Sequence, residues 1–176
     1  MKRSRIETKA FSLVELVIVI VILGIIAAIA IPRISSGSRN AGESALKANL
    51  ASLRNGIDWY YGEHNNTFPG ANADGGGNAA DSEGAFQSQL TLYSDINGNV
   101  SATKDPAYPM GPYIRSFPAL PVGANATKDT VSMNNLPAPL VANPGDGNGW
   151  VYSTNTGQII ANADETGRDG KTYDSY

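Results

Sequence analysis

The residue with the sharpest chemical demand is Glu15, a carboxylate inside the otherwise apolar run "FSLVELVIVIVILGIIAAIAIP", Phe11 to Pro32. From Leu16 to Ile31, sixteen consecutive residues are apolar or glycine. A charged carboxylate in a membrane helix costs about 2.5–3.5 kcal/mol at the bilayer centre and less near an end, so it calls for a cationic partner. The run itself supplies none. Other candidates for chemistry are few. His64 is the only histidine and adjoins an Asn- and Gly-rich stretch, so it reads as a surface residue rather than a base. The chain has no cysteine, which rules out a Cys/His nucleophile pair and any disulfide. No Gly-rich loop carries a P-loop lysine, and no G-x-S-x-G occurs. The sequence points away from catalysis.

The element that must position Glu15 is a helix. Phe11 to Ile31 would extend about 31 Å at ~1.5 Å per residue, the thickness of a hydrocarbon core of ~30 Å. Lys2, Arg3, Arg5 and Lys9 precede it against Glu7, which favours a cytoplasmic N-terminus and an extracytoplasmic body. An ordinary secretory signal peptide would use Ala28-Ile29-Ala30 as its cleavage site, but its apolar region is usually shorter. A plain transmembrane anchor explains the length and leaves the acid without a purpose.

A third reading accounts for the acid. The segment resembles the class III signal of type IV pilins and type II secretion pseudopilins. In that family a basic leader ends just before a Phe, an acid follows four positions on, and a Pro closes the first apolar stretch. Phe11, Glu15 and Pro32 have these spacings; Ala10 stands where Gly is usual, and Ser12 where Thr is commoner. The resemblance implies that a prepilin peptidase cuts between Ala10 and Phe11 and methylates the new amine. It implies that Glu15 pairs with the amine of a neighbouring copy as helices stack into a filament. The partners so implied are further copies of the chain, the peptidase, an inner-membrane assembly platform and other pseudopilins. The chain would be single-pass in the inner membrane before assembly. The implied fold is α+β and pilin-like, a long N-terminal helix packed on a small C-terminal antiparallel sheet. Residues 1–10 would be the leader, 11–32 the membrane and filament-core helix, 33–62 its amphipathic continuation and 63–176 the globular body. Many pilins carry a C-terminal disulfide loop, so the lack of cysteine favours a secretion pseudopilin over a surface or DNA-uptake pilin. A membrane-anchored binding module that never polymerises is the remaining alternative.

In the body, Leu46, Leu50, Leu53, Ile57 and Tyr60 recur at helical spacing, which predicts one helix from Phe11 to about Tyr61, with Pro32, Gly37 and Gly42 as weak points. Residues 65–80 read as a mobile, exposed loop. A short helix is predicted over Ser82–Tyr93, capped by Asp81 or Ser82, with Phe86, Leu90 and Tyr93 as its stripe. "DINGN" reads as a turn. Gly111–Gly123 holds three prolines and reads as an extended, edge-like run. Trp150–Ser153 and Gln158–Ala161 flank a turn-rich loop and predict a hairpin. Asp95, Asn97 and Asn99 form one oxygen-rich loop, and Asp164, Glu165, Asp169 and Asp174 another; either suits calcium, which takes oxygen ligands. The resemblance to major pseudopilins directs Ca2+ to the tail, with Asp164, Asp169 and Asp174 as candidate ligands. Net charge is -3 and sinks further without the basic leader. The body shows no basic patch, so nucleic acid is not a direct partner.

Overall fold

The computed structural model describes residues 11–135 and 139–176, apart from the side chains of residues 29–38. The leader, Ala10 and the side chain of Pro32 lie outside the described residues. The elements are α1 (Leu13–Glu63), α2 (Glu83–Thr91), β1 (Tyr93–Ser94), β2 (Val100–Ser101), β3 (Val131–Met133), β4 (Trp150–Tyr152) and β5 (Ile159–Ala161). The chain is α+β, consistent with a pilin-like fold. Contacts divide it into two compact units, Met1–Asn40 and Ala41–Tyr176.

In the second unit, the expected stripe of α1 forms the floor of the core. Leu46, Leu50, Leu53, Ile57 and Tyr60 are each no more than 2 % exposed. They share a cluster with Phe86 and Leu90 of α2 and with Trp150, Tyr152 and Ile159 of the sheet. Close approach to α1 is possible because Gly56 has no side chain: a Cβ there would stand 3.1 Å from the Ile114 Cγ2. Along β4, Trp150 and Tyr152 join this core, whereas Val151 packs with Leu140 and Ile160 in a second cluster. That alternation follows from the period-two pleat. Phe86 stacks on Tyr152 with ring centroids 3.9 Å apart, and the Tyr152 hydroxyl donates to the Pro69 carbonyl at 3.0 Å.

The predicted hairpin exists as β4 and β5, paired antiparallel with Trp150 opposite Ala161. The sheet is not purely antiparallel, however: β3 joins it parallel to β4, with Val131 opposite Trp150. The long connection between Met133 and Trp150 makes this possible, since parallel neighbours need a crossover of about a dozen residues or more. Residues 111–123 form no strand; they pack instead through Ile114, Leu120 and Val122. Ser82 caps α2 by accepting from the Ala85 N–H at 3.2 Å. Tyr93 lies past that helix, in β1.

The 65–80 loop is tied down rather than loose. Asp74 is 1 % exposed; its carboxylate accepts from the backbone N–H groups of Gly76 and Asn78, the Asn78 amide and the Ser88 hydroxyl. Burial alone would raise the Asp74 pKa, but these hydrogen bonds prevail and hold it at about 2. Asp95 repeats the arrangement, accepting from the N–H groups of Asn97 and Asn99 and from the Asn99 amide. Gln89 of α2, fully buried, holds both loops: its Oε1 accepts from Gly70 N–H at 2.7 Å and its Nε2 donates to the Gly98 carbonyl at 2.9 Å. Gly98 has φ +87, and a Cβ there would meet the Tyr60 hydroxyl at 2.6 Å. Only glycine satisfies both demands.

His64 is not a surface residue. It is 1 % exposed, lies flat on Tyr60 at 3.7 Å, and bonds the Tyr60 carbonyl through Nδ1 and the Ser94 hydroxyl through Nε2. The helical spacing from Tyr60 places it on the buried stripe, which outweighs the polar loop that follows. Burial lowers its pKa, against smaller opposing effects from the Tyr60 carbonyl, Glu63 and Asp95. The unfolded chain therefore binds this proton more readily than the folded one. Stability should be flat above about pH 6.5 and fall as pH drops below it towards the depressed value. Urea midpoints at about pH 7.5 and about pH 5.5 should differ for the native chain and converge for His64→Gln. The buried aspartates titrate lower and leave this window clear.

Candidate functional site

Of the expected processing and assembly residues, Phe11 precedes α1, and Glu15 and Pro32 lie within it. Phe11 is 77 % exposed and stands two positions before the first helical residue, Leu13. Ser12 and Glu15 form a reciprocal cap at the helix start. The Ser12 hydroxyl accepts from the Val14 N–H at 3.3 Å, and the Glu15 carboxylate reaches back to the Ser12 N–H at 3.0 Å. The S-x-x-E spacing is that of a capping box, here with the Ser12 hydroxyl on the second helical N–H, and it satisfies amide groups that the first turn leaves unpaired. It also places a carboxylate beside the positive end of the helix dipole. Ser12 therefore has a task that a comparison of signal patterns alone passes over; the three-residue spacing to Glu15 is the signal that reveals it.

The apolar side chains that follow are uncovered in the single chain. Those from Leu13 to Ile26 range from 44 % exposed at Val17 to 78 % at Leu13. A contiguous apolar surface of this kind marks a contact with lipid or with another protein. Among the described residues no helix is long and apolar enough to cross a membrane, and the described side chains of the run stop at Ala28. The helical assignment continues through Pro32, whose side chain lies outside the described residues, as does Ala10, the residue before the expected cut.

The tail acids do not converge on one site. Asp169 accepts from the Tyr176 hydroxyl at 2.5 Å, from Lys47 at 3.4 Å and from the Lys171 N–H at 3.2 Å. The Tyr176 hydrogen bond is the chief reason its pKa is lowered. Asp164 is exposed and Asp174 half-buried. Glu165 accepts from the Ala124 N–H at 2.7 Å. In the other oxygen-rich loop, the Asp95 carboxylate is filled by its own backbone and Asn99. Among the described residues no group of three or more His, Cys, Asp or Glu is placed to hold a metal ion.

The tail instead fastens the body to α1. Glu43 accepts from the Arg168 N–H at 3.1 Å, Lys47 pairs with Asp169, and Arg54 donates to the Ile159 and Tyr176 carbonyls at 3.2 and 2.6 Å.

Comparison with known proteins finds no match among curated proteins and none among solved structures. Residues 8–31 match the family model described as the prokaryotic N-terminal methylation motif. The matched stretch holds Ala10, Phe11, Ser12 and Glu15 together with most of the apolar run. Such a motif implies processing by a prepilin peptidase and pilin-type assembly. The match supports the resemblance of the N-terminal segment to a type IV pilin-like class III signal.

Proposed function

We propose that the chain is a structural subunit of a type II secretion pseudopilus, anchored in the inner membrane and then drawn into a filament. The observation that carries this reading is the placing of Glu15, an acid at the start of an uncovered apolar helix, within a matched methylation motif. Removal of the leader at Ala10 exposes the amine of Phe11. The Glu15 carboxylate of one copy then faces the amine of its neighbour and fixes the axial offset between them, a role well attested for buried polar groups. Before assembly the basic leader keeps the N-terminus cytoplasmic and the body extracytoplasmic. The chain contributes shape and register; the energy for extrusion comes from a cytoplasmic ATPase acting through a membrane platform.

The secretion assignment draws support from the cysteine-free body, which lacks a disulfide-closed loop of the kind many surface pilins carry. Deleting the gene should leave folded secreted enzymes trapped in the periplasm while surface fibres and DNA uptake persist. Normal secretion with loss of surface fibres would instead assign the chain to a pilus.

A further inference from the structure

On the second unit, α1 turns one large apolar side chain outward. Trp59 is 67 % exposed, while its neighbour Tyr60 is 1 % exposed. Trp59 lines a groove of about 380 Å³ together with Asn55, Asp58, Gly62 and Glu63. Space beside Gly62 is open, since a Cβ there would meet nothing within 4 Å. Glu63 is held in place by the Tyr113 hydroxyl, which donates to it at 2.5 Å. Asp58 makes no ion pair or side-chain hydrogen bond among the described residues. An exposed indole in a groove that also holds two carboxylates suits a cation that can stack and pair at once. That is the chemistry of a guanidinium, which lies flat on aromatic faces and forks to carboxylates.

The chain itself offers such a group. In Ala41–Tyr176 the arginines are Arg54, Arg115 and Arg168. Arg54 is committed to two carbonyls, and Arg168 is engaged. Arg115 is exposed and makes no ion pair among the described residues. We infer that the Trp59 groove is a contact between subunits, receiving the Arg115 guanidinium of a second copy between Asp58 and Glu63. This inference rests on the filament reading. In the head-to-tail form of this contact, each copy gives Arg115 to one neighbour and receives another copy's Arg115 in its own groove. Heterologous contacts of this type propagate into open helical filaments when their rotation does not close. A single acid at the helix start can set axial offset; a second pair on the body would fix rotation.

The chain has no cysteine, so introduced thiols report without background. Full-length Asp58→Cys and Arg115→Cys chains, co-expressed in assembling cells and oxidised, should yield a mixed disulfide dimer that neither variant gives alone. Asp58→Arg and Arg115→Asp should each lower sedimentable filament by about tenfold, and the combined swap should restore it to within about twofold. Both positions are exposed, and recovery in the combined variant excludes misfolding as the cause of loss. Intact assembly with no mixed dimer and no recovery overturns the contact and leaves the filament reading standing. Cross-linking of the Asp58→Cys chain to a different protein instead of a second copy also overturns it. No sedimentable filament from the unaltered chain overturns both.

Discussion

Glu15→Ala is expected to abolish filament assembly while the chain still partitions with the membrane fraction. Insertion depends on apolar length, and removing a carboxylate only makes insertion easier. Assembly depends on the charge, because an amine drawn into an apolar filament core without its counter-ion is left buried and unpaired. Breaking a buried pair by deleting one partner costs about 3–5 kcal/mol, roughly a hundredfold to several thousandfold in association. The capping box allows a sharper form of this experiment. Glutamine serves at the third helical position of a capping box as glutamate does, so Glu15→Gln retains the bond to the Ser12 N–H and loses only the charge. If the acid were there for the helix start alone, Glu15→Gln would assemble normally. Pairing with a neighbour's amine predicts that it fails as Glu15→Ala does. Ser12→Ala should be far milder, weakening the first turn by about 1 kcal/mol.

Trp150→Ala should have the largest effect on the body. Trp150 is fully buried, its Nε1 donates to the Pro118 carbonyl at 2.9 Å, and it pairs with both β3 and β5. Truncation leaves a cavity beneath α1 and an unpaired carbonyl. A Trp-to-Ala change in a core costs about 3–5 kcal/mol, against a total stability of about 5–15 kcal/mol for an ordinary domain. Urea unfolding should show a midpoint displaced by a large fraction of its native value. Trp59→Ala is the natural contrast. Its ring packs against no core, so the midpoint should move by no more than the roughly 0.5 kcal/mol typical of surface changes.

Long-period features of the fold could be read from sequence, and short cooperative ones could not. The stripe Leu46, Leu50, Leu53, Ile57 and Tyr60 spans several turns, and all five positions are buried. The hairpin of β4 and β5 showed through its aromatic and β-branched residues and its turn. By contrast, β3 is three residues long, below the length at which periodicity carries information, and its parallel pairing depends on a distant strand. Asp74 sits among glycines and looks like part of a loose loop; its burial arises from Ser88 and the Gln89 clip, both on α2. His64 ends a helical stripe but precedes polar residues, and only the stack on Tyr60 decides between core and surface. The tail acids suggested a cation, and among them Asp169 is taken up by Lys47 and Tyr176, partners remote in composition from any metal motif. At the N-terminus the spacing of Phe11 and Glu15 was plain, and the same stretch held the S-x-x-E signature of the Ser12 cap.

In the proposed function the chain is cut between Ala10 and Phe11, and the amine so released is the partner of Glu15 in the next copy. The most direct measurement is the mass of the mature N-terminus, taken from the full chain isolated from its own cell envelope. A chain beginning at Phe11 with a methylated amine is the predicted result. A chain beginning at Ile31, after the Ala28-Ile29-Ala30 site, or one that keeps its leader intact, would contradict it.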